Sequence, residues 1–488
     1  MRTLWVAFAA LAVASCAASH GTDSTSRFLP QQHRMARTRL TPAACVTPTA
    51  PQGKTYFEVC KRDILISRNG KVPKIFYIKG VDYSPTQIGT TYIAPLDDAN
   101  QAIWSKDLAQ MRALGVNAVK VYNVDMVRNG PGAWSVAPMT KWLTAAYNGG
   151  NKPIYTILSI SFAAGLIDNP PNQGAVTSLQ HQYYVLAKTL GPNPDVMGIS
   201  IGDEWNQHPF VGEAGTWTQG VDPIIQAAWQ GLIDAGVGNV KILTTTLVDD
   251  LGTASTSTMA QGETYGFPPT PKPTGPPFNG ATAAFAWGFD VYRGDNPPFF
   301  RLWSDVHAQT KHPFIISEWG EPVACHPAAQ PQACPSASAS PPVTAVTEYA
   351  SPVPASITDY VDGSAATLYK HATISAIGPK RLSRVVSGGF YFEWSDENWK
   401  AYGAPTAAQA CNHIGGNEGT NPNPESGFPS GFDDEAWFGL NAVSLPTGAS
   451  CPAGSSSTGA DVMTPRADFY HLQNDWKSEL STRRLGNL

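Results

Sequence analysis

A single (β/α)8 barrel is the fold class predicted for this chain of 488 residues, on three observations. Eight apolar, strand-like runs alternate with helical patterns, which implies parallel pairing, and a closed eight-stranded barrel is the economical arrangement for such strands. The fourth and seventh runs each lead into a Glu followed by Trp, at Glu204 and Glu318, 114 residues apart or 38 per strand–helix unit. The turn after the first run, K-G-V-D-Y-S-P, lacks a Gly-rich phosphate fingerprint, which disfavours the runner-up, an open doubly wound nucleotide-binding sheet.

In chain order, Arg2 precedes an apolar run from Leu4 to Val13 and then Ala14-Ser15-Cys16. This is a signal-peptide pattern, too short for a permanent membrane span. V-A-S-C also fits a lipobox, in which Cys16 becomes a lipid-bearing first residue; plain secretion is the other reading. Export is expected either way. Residues 1–16 are assigned to the signal, 17–54 to a flexible leader rich in small and polar residues, and 55–488 to the barrel domain.

The strand runs are Lys74–Tyr83, Ala118–Val124, Pro153–Ile160, Val196–Gly202, Val240–Thr246, Ala284–Val291, Pro313–Ser317 and Arg384–Phe392. Helical patterns fall at Asp98–Leu114, Met139–Tyr147, Thr177–Leu190, Val221–Ala235 and Ile357–Ile377, with Ala467–Leu480 as the closing helix. Two insertions, residues 321–355 and 395–464, follow the seventh and eighth strands. Loops there emerge at the face that carries a barrel's active site.

Charge is low at 15% and the net is −5, without basic clusters in the sequence, so nucleic acid and anionic membranes are not expected partners. Of seven cysteines, six remain once Cys16 is set aside. Six allow fifteen pairings; proximity suggests Cys45–Cys60, Cys325–Cys334 and Cys411–Cys451, which makes both insertions disulfide-bearing loops. No zinc spacing occurs, and neither metal nor cofactor is expected. A monomer is expected.

I-S-I-G-D-E-W-N (199–206) and P-F-I-I-S-E-W-G (313–320) each deliver a Glu beside an aromatic at a strand end. Glycosidic-bond cleavage needs such a pair: one carboxyl protonates the leaving oxygen while the other attacks the sugar carbon, and a flat aromatic supports the ring. Serine hydrolysis has little support, because the ten His show no pairing pattern.

These two motifs resemble the clan of retaining glycoside hydrolases with (β/α)8 barrels. F-Y-I-K-G-V-D-Y-S-P (76–85), P-L-D-D-A-N (95–100) and L-G-V-N-A-V-K-V-Y-N-V-D (114–125) resemble, more narrowly, the fungal cell-wall β-1,3-glucanosyltransferases. The resemblance implies Glu204 as acid/base and Glu318 as nucleophile, with Tyr292 bonded to the nucleophile and Trp394 as the platform under the sugar. Tyr83, Tyr122 and Asn123 end the first two strands and are expected to line the groove. Asp396, Glu397 and Trp399 are read either as contacts to sugar hydroxyls or as a solvated loop.

Two positions depart from the clan. Asp203 stands where an Asn amide is usual; an ionised Asp only accepts, and its charge favours a protonated Glu204. Lys120 stands where Arg is usual, which removes a bidentate partner. The expectation is a retaining hydrolase or transglycosylase acting on a β-linked polysaccharide, β-1,3-glucan favoured. The alternatives are a β-mannanase or cellulase-like endo-hydrolase, and a non-catalytic carbohydrate-binding envelope protein.

Overall fold

The computed structural model describes residues 48–89, 96–160, 172–207, 217–251, 257–264, 283–292, 302, 305–325, 347–348, 386–398, 400, 435–447 and 461–485. The signal, Cys16, most of the leader, the helix expected at 357–377 and most of both insertions lie outside them. Eight parallel strands form the expected barrel: β1 (Ile78–Asp82), β2 (Ala118–Lys120), β3 (Tyr155–Leu158), β4 (Val196–Ile201), β5 (Ile242–Thr245), β6 (Ala284–Asp290), β7 (Phe314–Trp319) and β8 (Val386–Tyr391). Each pairs with its sequence neighbour. The ring closes between β8 and β1, with Gly388 opposite Ile78, and every gap is filled, including β5 against β6.

Helices follow the strands: α1 (Gln101–Leu114), α2 (Thr140–Tyr147), α3 (Gln173–Leu190), α4 (Asp222–Asp234), α5 (Thr258–Thr264) and α6 (Ala467–Leu485). In α1, Ile103, Trp104, Asp107, Leu108, Met111 and Leu114 make one buried stripe. The helix ends at Gly115, whose φ of 104° suits only glycine well and whose N–H bonds Met111 O. α3 begins four residues earlier than its apolar pattern, because the Asn172 side chain caps the N–H groups of Gly174 and Ala175.

The first predicted strand divides in two. Lys74–Ile75 pairs antiparallel with Asp63–Arg68, itself paired with Thr55–Cys60, and the barrel strand starts only at Ile78. This small sheet floors the barrel at the strands' N-terminal ends. Phe57, Ile64, Ile66 and Phe76 pack against Ala118, Tyr155, Met197, Ile242 and Ala284 from the strand starts. Cys60 is disulfide-bonded; the other cysteine side chains lie outside the described residues.

The described part of the second insertion is fixed from beneath. Asp396 accepts from both Arg466 Nη atoms, at 2.5 and 2.6 Å, and from Gly439 N, while Arg466 Nη1 also donates to Gly439 O. Both side chains are buried. Breaking a buried pair strands a charge and costs about 3–5 kcal/mol. Arg466→Met is therefore expected to lower stability by roughly that amount in urea unfolding; a loss below about 1 kcal/mol would reduce the pair to a surface-like contact.

Candidate active site

The site follows from strand alternation. In β1, β2 and β6, successive side chains point alternately into the barrel and out to the helices. The inward rows end on Asp82, on Lys120 and Tyr122, and on Asp290 and Tyr292. Glu318, near the end of β7 and 6% exposed, meets these rows at the strands' C-terminal ends. Lys120 Nζ lies 3.1 Å from Glu318 Oε1 and 3.4 Å from Asp82 Oδ1. Tyr122 donates to Glu318 Oε1 at 2.5 Å, and Tyr292 donates to Oε2 at 2.8 Å. Asp290 accepts from Ser317 Oγ at 2.7 Å.

The charges are unbalanced. Burial, then the neighbouring Glu318, hold Asp82 and Asp290 well above the usual carboxylate range, against the opposing pull of Lys120. For Lys120 itself, burial works against the charge, but Asp82, Glu318, Asp290 and Asp203 outweigh it and raise its pKa. Tyr122 and Tyr292 are likewise pushed up by burial and by the acids, which keeps their hydroxyls protonated as donors. One oxygen each from Asp203, Asp290 and Glu318 lies within 4.8 Å of the others. That donor set suits a hard cation, yet the Lys120 ammonium already stands against Glu318.

Glu204 sits one turn past β4. Gly202 has φ 69° and Glu204 φ 41°, a left-handed conformation that a non-glycine residue rarely adopts and that clusters at functional sites. The turn is held on both sides. Gly202 N donates to the Tyr183 hydroxyl of α3 at 2.8 Å, and that hydroxyl donates on to Ile160 O. Asn206 bonds Val248 through both its amide nitrogen and its oxygen, and Thr258 Oγ1 as well. Glu204 is partly exposed, and its charge is felt by Asp290.

Of the residues singled out by sequence, the structure brings Tyr122, Tyr292, Asp203 and Glu318 together. Asn123 is half-buried beside them in sequence but bonds Asp125 at 3.4 Å. Tyr83 does not line the groove. It is fully buried, stacked on Trp142 with its hydroxyl donating to Asp107 at 2.7 Å, because it falls on the outward row of β1. Trp394 has no exposed face to offer a sugar and packs against Phe469 of α6.

Trp205 and Trp319, expected as flanking aromatic surfaces, are each 1% exposed and belong to the shell between barrel and helices. The aromatic surroundings of Glu318 are instead Tyr122 and Tyr292, with Phe392 and Phe438 packed against them edge to face. Asp396 is tied to Arg466 and Glu397 to Lys400 at 2.7 Å; Trp399 lies outside the described residues. Asp82, Asp290, Phe392 and Phe438 were not singled out from sequence, though the first three lie within the predicted strand runs.

Residues 52–135 match the family described as glucanosyltransferase. A relative named 1,3-beta-glucanosyltransferase gel1, of Aspergillus fumigatus strain Af293, is 34% identical over 85 residues, which is 17% of this chain and 15% of the relative; the same protein of strain A1163 matches equally. The family match thus covers the floor sheet, β1, α1, β2 and the residues just after it, and the aligned stretch spans under a fifth of the relative. Among solved structures, a GH2 beta-galacturonidase from Eisenbergiella tayi is 10% identical with a TM-score of 0.44, covering 88% of this chain and 54% of that one. A beta-D-glucuronidase from Dictyoglomus thermophilum is 12% identical with a TM-score of 0.46, covering 87% and 53%. Likeness at that level adds nothing to the barrel described above. The N-terminal barrel units resemble the fungal glucanosyltransferases, and the closed eight-stranded parallel barrel fits a glycoside hydrolase-like fold. Among the described residues no helix is long and apolar enough to cross a membrane.

Proposed function

We propose that this protein is an exported retaining glycoside hydrolase or transglycosylase acting on a β-glucan, β-1,3-linked by preference. Glu318 is its nucleophile and Glu204 its acid/base. The observation that carries this reading is the setting of Glu318: a strand-end carboxylate held by an ammonium and two tyrosine hydroxyls, with both oxygens fixed. Glu204 protonates the leaving oxygen as Glu318 attacks the anomeric carbon, forming a glycosyl ester. Glu204 then deprotonates the incoming acceptor, which displaces Glu318. Ester formation removes the charge on Glu318, and Lys120 keeps Asp82 as its partner through that step. A carboxyl separation of roughly 5–5.5 Å between Glu204 and Glu318 belongs to this mechanism.

Transfer is supported by the match over residues 52–135 and by the aromatic wall of Tyr122 and Tyr292, in place of the buried tryptophans. A sugar held on the acceptor side hinders water and meets the ester in attack geometry. Incubation with laminari-oligosaccharides, followed by mass spectrometry, is expected to give products longer than the starting chain, with their share growing as substrate concentration rises. Only shorter products at every concentration would leave an endo-hydrolase. Turnover of manno- or cello-oligosaccharides alone would move the substrate class.

A further inference from the structure

At the other end of the barrel from the carboxylates, the floor sheet, the starts of β1–β3 and the C-terminal helix α6 surround a groove of about 690 Å³. Seven of its 20 lining residues are Lys or Arg and none is Asp or Glu, in a chain that has 33 basic residues against 38 acidic ones. A concentration of one sign this far from the average is a potential well for the opposite charge. The cations come from four separate stretches of sequence, around residues 66–79, 112–117, 152–155 and 476–477. The sequence therefore shows no basic cluster; the fold makes one.

The cations divide by depth. Lys79 is buried, and its ammonium donates to Trp476 O at 2.7 Å. Arg112 is half-buried and held by Ala145 O, Ala146 O and Lys152 O, and Arg68 donates to the Tyr155 hydroxyl at 3.3 Å. Lys71, Lys74, Lys152 and Lys477 stand exposed around these, and among the described residues none of the four is in an ion pair.

We infer that this groove is a binding site for an acidic polysaccharide, a linear chain carrying carboxylates at sugar-repeat spacing. The volume has room for several sugar units, in the range of ligand sites generally, whereas a single small anion would meet only one or two of the cations. A membrane surface fits less well. Insertion needs a protruding apolar face, and Val72, 82% exposed, is the one large apolar side chain of the lining that stands out among the described residues. The groove is concave, with charge on several sides, which suits a chain lying within it. Such a site would tether the protein to an anionic matrix while the opposite face works on neutral glucan. It does not depend on the chemistry proposed for Glu318.

The full-length protein is tested by affinity electrophoresis in gels containing polygalacturonate. Retardation is expected at low ionic strength and should fall away in 0.5 M salt (about a 4 Å screening length). The variant K71Q/K74Q/K152Q/K477Q changes only exposed side chains. It is expected to bind at least tenfold more weakly while turning over laminari-oligosaccharides at the wild-type rate. No retardation of the wild type, or equal retardation of the variant, overturns the inference. So does co-sedimentation with anionic vesicles without polygalacturonate binding, which would make this a membrane-facing surface. Because the readout is binding, absence of glucan turnover in the wild type would defeat the proposed reaction and leave this site standing.

Discussion

Glu318→Gln is expected to lower laminari-oligosaccharide turnover by at least about four orders of magnitude, the scale seen when a covalent nucleophile is removed, with the fold intact. The amide has the size of the carboxylate and cannot attack the anomeric carbon. Its oxygen still accepts from Tyr122 or Tyr292, and Lys120 retains Asp82 at 3.4 Å, so no buried charge is stranded. The variant should lose no more than about 3 kcal/mol of stability, the upper scale of a hydrogen bond to a charged group, because the amide oxygen keeps one of the tyrosine donors. Glu204→Gln separates the two roles. A substrate whose leaving group departs without protonation, such as an aryl glucoside, should still form the ester on Glu318 in that variant, but should form none in Glu318→Gln. Turnover by Glu318→Gln near the wild-type rate would remove it as nucleophile. Equal loss of ester formation in both variants would undo the division of roles.

The barrel was legible because its signal is redundant. Seven of the eight strand runs begin within two residues of the observed strand, and the apolar stripe of α1 fell where expected. Misses came where period two competed with residue type. In β1, Asp82 and Tyr83 are neighbours, and the tyrosine was singled out because aromatics stack on sugars; alternation puts Tyr83 outside and Asp82 inside. Trp319 fails for the same reason, directly after the inward Glu318, whereas Trp205 and Trp394 lie beyond the ends of β4 and β8, where strand alternation no longer places a side chain. The large aromatics next to the acids fill the space between barrel and helices, where burying their area contributes most. The smaller tyrosines two positions past an inward acid or lysine, Tyr122 and Tyr292, reach the site. The floor sheet could not be separated from β1 by pattern, because Lys74–Ile75 and Ile78–Asp82 form one apolar run interrupted only by a change of partner. The basic groove was illegible in principle, since its cations are brought together only by the closure of the barrel against α6.

Lys120→Met is expected to have the second-largest effect, on both stability and rate. The Lys120 ammonium is the cation among Asp82, Asp203, Asp290 and Glu318, and is 2% exposed. A neutral thioether of similar length leaves those acids to repel one another without relief. Leaving buried charge unpaired costs about 3–5 kcal/mol, offset in part because the acids take up protons. The sign of the pH dependence follows from the directions of the shifts. Asp82 and Asp290 already have folded-state pKa values above their unfolded ones, so protonation favours the folded chain, and that contribution is lost as pH rises through the folded values. Removing Lys120, which lowers both, moves that loss to higher pH and deepens it. The stability deficit of the variant should therefore be largest at alkaline pH and shrink as the medium is acidified, when neutral carboxyls no longer need the ammonium. The acidic limb of the rate profile should move upward for the same reason, because the charge that favours an ionised cluster has gone. Lys120→Arg keeps the charge and should restore most of the stability and the position of that limb, even where the longer fork disturbs packing. Urea unfolding from pH 5 to 9 and the rate profile over the same range measure both effects. A deficit independent of pH, or one that grows on acidification, would mean that Lys120 fills space and does not hold the carboxylates in their working state.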